Sequence, residues 1–542
     1  MKNSNWVLVS GPFVTLALSP GWTFDMLNPT KLLALGIVSG FALSQIILME
    51  PIPSQLVKNK GFGFVSLFLL SLFIPLIFSD APFFQQIFGV NGRNLGFLHY
   101  FFLSVILLGV SQVGKNVILT RLLGTLVITG AFEACYGWIQ YSGADPISWK
   151  NPDQWIFGTF GNPNYFSSFL ALSVVATLYF AIRSMKVGSK ILFLLLAGFQ
   201  VILLFLSKST QGLLLILIAI FLISLFYAFE YSLRLGYVAS LLGSCLIFIS
   251  ILGILQIGPL SRFLYQESVT FRGDYWRAGI AMIKDNPYSG VGLDSYGDNY
   301  RFYRDSAAAN RRGLDSISNS AHNLLIDLGS TGGVFVLISY LLLIGLALVL
   351  VVKKFKSWSN VTLEYKFIVI LWIIFNLQTL ISINVPSLAV WGWIFMGIIF
   401  SSNGELRQNN KRQKIPAKNY KVKTYSTSVC LVILLVIPVL PLINREVKMQ
   451  NAMKSNDIPK IYSVALTAPL DSTLTTNVAI ALEKAGITKP ALILFNHAVE
   501  ENPKNSVAWS HIFFSQESTG FEKEIAKNRA EKLDPNLDLN SL

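Results

Sequence analysis

The sequence predicts an all-α fold: a polytopic transmembrane helix bundle of about 13 spans, with a long extracytoplasmic loop and a C-terminal α-solenoid-like tail. Three observations predict it. Hydrophobic residues make up 53% of the chain and charged residues only 13%, against a usual charged share of about 25%. Apolar runs of about 20 residues, long enough to cross a bilayer as helices, recur throughout. One polar segment, residues 258–322, is longer and richer in Arg, Asp and Tyr than any other connection. A polar connection of that length is functional or disordered, and the Trp276 run and Gly turns within it point to folded structure.

The spans fall near 6–22, 30–49, 62–78, 95–112, 118–141, 164–182, 190–206, 212–228, 235–257, 322–352, 365–383, 386–401 and 426–443. The first begins at Trp6 with no small-residue cleavage site after it, so it reads as a retained span and not a removed signal peptide. Basic residues collect on alternate connections: Lys58 and Lys60; Lys115 and Arg121; Arg183, Lys186 and Lys190; Lys353, Lys354 and Lys356. Seven more lie between Arg407 and Lys423. Short loops rich in Lys and Arg stay cytoplasmic. The N-terminus is therefore expected inside and segment 258–322 outside. The expected domains are a membrane core over 1–403, a basic cytoplasmic linker over 404–425, a last span over 426–443 and an extracytoplasmic tail over 444–542.

The net charge of +14 thus serves topology, and no nucleic-acid partner is implied. Cys135, Cys245 and Cys430 sit in apolar runs, too scattered for a metal motif or a disulfide framework. In the tail, Pro469, Pro503 and Pro535 recur at intervals of 34 and 32 residues between helical-period segments. This resembles tetratricopeptide repeats, whose period is about 34 residues.

Polar detail gathers on the outward connections: FGVNGRNLG (Phe88–Gly96), GTFGNPNYFSSF (Gly158–Phe169), SKSTQG (Ser207–Gly212) and the long segment. Arg272 and Trp276 stand four residues apart, on one face if the stretch is helical. An Arg fork there can hold phosphate oxygens in two parallel bonds. The same spacing also fits an interfacial amphipathic helix with a snorkelling Arg. His322, where the chain re-enters the membrane, is the only histidine in an outward loop. It suits proton acceptance from an attacking hydroxyl, or a plain helix start. Arg93 and Lys208 are further candidate phosphate cations, and Arg277 an optional one. Asn162, Asn164 and Asn323 can line a polar cleft or build turns. Glu133, inside the fifth span, is a functional candidate with no readable partner. Gly332 and Gly333 read as close helix-packing positions. No Asp-x-Asp occurs, which argues against a metal-dependent transferase.

Over roughly residues 60–400 the chain resembles the O-antigen ligase and polymerase superfamily of bacterial membrane glycosyltransferases. The resemblance rests on GTFGNPN, on R-x3-W with DNPYSGVGLDSYG, and on His322, Asn323 and Gly333. It implies transfer of a glycan from an undecaprenyl (pyro)phosphate carrier to an acceptor hydroxyl, without metal or other cofactor. In that scheme Arg272 and Arg93 hold carrier phosphate and His322 is the base. Partners would be the lipid-linked glycan donor, a glycolipid, polysaccharide or protein acceptor, membrane lipid, and a protein engaged by the tail. Ligase, polymerase and protein O-oligosaccharyltransferase versions share these motifs, and the ligase version is the expectation. Two departures stand out: Ser209-Thr210-Gln211-Gly212 lacks the family's arginine, and Val336 replaces a glycine. A non-enzymatic flippase or transporter is the competing class; it calls for ionisable residues deep in several spans, whereas Glu133 is the one clear case.

Cysteines introduced at Ser268 and Ser472 are expected to react with a membrane-impermeant reagent in intact spheroplasts, and one at Ser402 is not. Labelling confined to position 402 would reverse the orientation.

Overall fold

The computed structural model describes residues 5–47, 60–113, 116–149, 151, 154–254, 257–258, 267–313, 316–356, 361–401, 417–537 and 539. Among them all regular structure is helical, as lipid requires of an apolar chain without a closed barrel, because a helix satisfies its backbone donors and acceptors within one segment. Each of the thirteen expected runs contains helix. Among the described residues, eight helices are long and apolar enough to cross a membrane. Asn5–Leu16, Phe97–Ser111, Leu233–Ile249 and Pro386–Ser401 are shorter apolar helices, and Leu363–Thr379 has 17 residues. Two boundaries differ from expectation. The first helix stops at Leu16, and the last begins at Ala417, inside the expected basic linker. Residues 404–416 of that linker, Lys58 and Lys115 lie outside the described residues.

The chain divides into two compact units: residues 1–114 with 275–352 and 383–542, and residues 115–274 with 353–382. The tail groups with the N-terminal helices and most of the long polar segment.

In the second unit the helix Pro163–Arg183 is central, packed against Asn116–Tyr141, Val187–Leu206, Thr210–Tyr231 and Leu363–Thr379. Its apolar stretch is 78% buried, against 22% for Val187–Leu206, whose remaining surface is left for lipid. Glu133 finds a structural partner here. Its carboxylate accepts the Thr159 N–H at 3.0 Å and the Thr159 hydroxyl at 2.5 Å, tying the span to the GTFGNPN turn.

In the first unit Asn28–Ile47 packs against Phe97–Ser111 and Ala417–Val436, and Asn5–Leu16 against Pro386–Ser401. The long polar segment is folded into helices Glu267–Asp285, Tyr296–Tyr303 and Ser306–Arg312 ahead of the apolar helix Leu324–Phe355. That last helix breaks at Gly333, where φ is 78° and ψ is 178°. The turn after Glu267–Asp285 docks on the break. Val334 N–H donates to Pro287 O (2.7 Å), Val291 N–H to Ser330 O (2.8 Å) and Gly292 N–H to Thr331 O (3.1 Å). Backbone groups left unpaired by the break are thereby satisfied. Gly333 is thus a corrected reading: it is a helix break that admits the NPYSGVG backbone, and not a helix-packing site. A Cβ there would overlap Tyr288 O, and one on Gly290 would lie 2.5 Å from the Thr331 carbonyl carbon.

The tail forms six helices, paired in sequence order: Leu440–Ser455 with Ile458–Ala465, Ser472–Lys484 with Thr488–Glu501, and Ser506–Phe514 with Gly520–Leu533. Val478, Leu494 and Phe495 lie in their shared core. Asp457, Asp471, Asn505 and Thr519 cap helix starts with their side chains, which satisfies N–H groups a helix leaves unpaired. The three spaced prolines fall in the connections that follow each pair. Ser472 is only 4% exposed, so exposed Gln516 is the better labelling position in the tail.

Gly333→Ala is expected to destabilise the protein by about 1–3 kcal/mol or more, from left-handed strain compounded by the overlap with Tyr288 O. Thermal unfolding in detergent reads it. An unchanged midpoint would mean that the Tyr288–Gly290 turn does not bear on the break.

Candidate functional site

The second unit brings together four of the residues singled out from the sequence. Asn162 caps Pro163–Arg183, its side-chain oxygen accepting the Asn164 N–H at 2.8 Å. The Asn164 side-chain oxygen accepts the Ser209 hydroxyl at 2.8 Å, and Ser209 in turn accepts the Ser167 hydroxyl at 2.8 Å. Gln211 Nε2 donates to Ser168 Oγ at 2.9 Å. The GNPN and SKSTQG connections are therefore locked to each other by their own polar groups. Lys208 projects from this turn, exposed, with φ at 57°.

Arg272 differs from these. Its guanidinium is half-buried, and burial pushes its pKa below the ordinary value, with Tyr165 the opposing influence. Arginine nonetheless stays charged. Among the described residues it makes no hydrogen bond or ion pair. A cation held partly out of water without a counter-charge costs stability.

The first unit gathers Arg93, Trp276, Arg277, His322 and Asn323. Arg93 is already committed: it pairs with Asp294, whose side chain is 1% exposed, and donates to Asn319 O. Asp294 also accepts the Val90 N–H at 2.8 Å. Arg93 thus anchors the FGVNGRNLG turn, a role the sequence reading did not give it. Arg277 is exposed and pairs with Asp305 at 2.9 Å. Asn323 caps Leu324–Phe355, its side-chain oxygen accepting from Leu325 N at 3.0 Å and Ile326 N at 3.2 Å. The Trp276 indole N–H is buried with no partner among the described residues.

His322 sits in the left-handed region at φ 52°, a strained backbone that persists only where surroundings enforce it. Here the enforcing group is Asp327. Its carboxylate accepts the Ser320 hydroxyl (2.6 Å) and the Ala321 N–H (2.8 Å), while the His322 N–H donates to Ser320 Oγ (3.0 Å). The imidazole stacks on Tyr275 at 5.5 Å between centroids, and the Arg312 guanidinium lies 5.6 Å from the same ring. Asp327, Ser320, Arg93, Asp294 and Asn384 line one small pocket. Both Asn384 amide atoms are buried in it without a partner among the described residues. Tyr165, Tyr275, Asp294, Asp327 and Asn384 were not singled out from the sequence. Asp327 carried a signal, a carboxylate one turn into an apolar run. Asp294 is a left-handed residue in the GLDSYG turn, and nothing local marks it as the partner of Arg93.

Residues 191–341 match the family model described as O-antigen ligase. That stretch contains Lys208, Arg272, Trp276, Arg277, His322, Asn323 and the Gly333 break, whereas Arg93, Asn162 and Asn164 precede it. No curated protein matches the chain.

Thermal unfolding should separate the two arginines. Arg93→Met strands the buried Asp294 carboxylate and is expected to cost about 3–5 kcal/mol. Arg272→Met removes a cation that has no hydrogen-bond or ion-pair partner among the described residues, and is expected to be neutral or stabilising, within about 0.5 kcal/mol of neutral if the site stays hydrated. Equal losses at both positions would assign Arg272 a structural role.

Proposed function

We propose, on the match of residues 191–341 to the O-antigen ligase family model, that this chain is a membrane glycosyltransferase acting on a lipid-linked glycan. In this reading an undecaprenyl (pyro)phosphate carrier delivers the glycan at the outer face of the cytoplasmic membrane. The acceptor hydroxyl belongs to a glycolipid, polysaccharide or protein, with ligase-type transfer to a glycolipid the leading version. The observation that carries the proposal is the half-buried guanidinium of Arg272, which has no hydrogen-bond or ion-pair partner among the described residues and lies on the matched stretch beside Tyr165.

The acceptor oxygen attacks the anomeric carbon and forms the new glycosidic bond, and the bond from that carbon to the carrier phosphate oxygen breaks. The electron pair leaves with the phosphate, and Arg272 answers the charge with paired N–H donors. The acceptor proton passes to a His322 ring nitrogen, the histidine being held in place by the Asp327–Ser320 contacts and the Tyr275 ring. No step calls for a metal. The tail, as an α-solenoid of tetratricopeptide type, presents the acceptor or a protein partner. The N-terminus is cytoplasmic and the tail extracytoplasmic.

The test is transfer from a defined lipid-linked glycan in detergent, with donor binding measured separately. Arg272→Ala should weaken donor binding roughly 10- to 150-fold, and Arg272→Lys should rescue it poorly, because an ammonium cannot make the paired bonds. His322→Ala should leave donor binding intact and slow transfer about 100- to 10,000-fold. Wild-type turnover in His322→Ala at matched protein levels would remove the base assignment.

A further inference from the structure

The outward segment is held from a direction the transfer chemistry does not use. Arg304, at the end of Tyr296–Tyr303, has a fully buried side chain and pairs with Asp534 of the tail, also fully buried, at 2.5 Å. The other arm of the same guanidinium donates to Ser316 O at 3.0 Å and lies 3.3 Å from Ser316 Oγ. Asn536 Nδ2 donates to Arg304 O at 3.3 Å. A second tie runs to the turn that carries Arg93. Asn91 N–H donates to Asp471 Oδ2 at 2.9 Å, and Asn91 Nδ2 to Glu446 Oε1 at 3.1 Å.

We propose that the C-terminal tail is a positioning element of the outward segment, and that Asp534, acting through Arg304, sets the stretch leading to His322. Ser316 begins that stretch, and Arg93 holds its middle by donating to Asn319 O. Asp327 holds its end through Ser320 and Ala321. Each holding group is an ion or a charge-assisted donor in a buried setting, where loss of one partner leaves the other stranded. Asp534 needs no contact with substrate for this role. Its carboxylate neutralises Arg304, and neutralised Arg304 can stay buried against Ser316. Asp534-Pro535 is also the third of the spaced prolines read from the sequence as a repeat landmark. The inference about turnover rests on the transferase reading; the inference about placement does not.

The test uses the full-length protein in nanodiscs and two readouts: backbone hydrogen exchange over residues 316–323, and kcat and KM for a lipid-linked glycan donor. Asp534→Asn keeps the shape and removes the charge. It should raise exchange over 316–323 by about 10- to 100-fold while exchange in the helix Pro163–Arg183 stays as in wild type. It should lower kcat about 10-fold or more with donor KM within about twofold, because placement of the base and not donor binding is lost. The Arg304→Met, Asp534→Leu pair removes both charges together and should return exchange to within about threefold of wild type, as apolar replacement of buried ion pairs does elsewhere. Should Asp534→Asn fail to fold, Asn536→Ala, which deletes a single bond to Arg304 O, should raise exchange over the same residues by a few-fold, roughly. Unchanged exchange over 316–323 in a folded variant of either kind would overturn the proposal. Raised exchange in a protein whose wild type transfers nothing would uphold the brace and sink the transferase reading.

Discussion

The polar half of the first unit depends on one backbone contact, the docking of residues 287–292 on the helix break at Gly333. A transmembrane helix that breaks must satisfy its freed backbone groups from nearby. Here a turn from the preceding polar segment satisfies them, with Val334, Val291 and Gly292 donating across the gap. The contact fixes the turn after Glu267–Asp285 against the first turns of Leu324–Phe355, so Tyr275 on one helix meets His322 at the mouth of the other. Glycine is required on both sides because backbone meets backbone with no room for a Cβ.

Two arginines that look alike in the sequence separate once charge is accounted for. Arg93 lies against a buried carboxylate and a carbonyl, so its charge is spent within the protein. Arg272 is half-buried and, among the described residues, makes no hydrogen bond or ion pair. The same distinction sorts the asparagines: Asn162 and Asn323 are occupied as helix caps, while the Asn384 amide in the Arg93 pocket has both atoms unanswered among the described residues.

Much of this was legible in the sequence because lipid leaves a chain few options. Apolar length gave the helices, and the polar segment announced itself by interrupting them. The stretch that carries R-x3-W is helical, as Glu267–Asp285, so Arg272 and Trp276 share the face their spacing allows. What stayed hidden was pairing over long sequence distance. Asp294 answers Arg93 from about 200 residues away, and neither residue differs in type from an ordinary loop charge. The Gly333 break was hidden for another reason. A helix interruption satisfied from outside has the same local sequence as a small-residue packing patch. The tail's helices were readable from their period, but its attachment to the first unit was not, since Asp534 and Asp471 read as plain helix-boundary residues.

The pairing of Arg304 with Asp534 spans 230 residues and several apolar helices. A nascent chain exposes Arg304 long before its carboxylate has been made. Until the tail arrives, that guanidinium remains in water and the stretch ahead of His322 lacks its tether. Late arrival of a buried partner makes closure of this segment a slow, non-local event. On the brace proposed above, the order of synthesis becomes an order of assembly: the stretch ahead of His322 is tethered only in a chain whose tail has been made and docked.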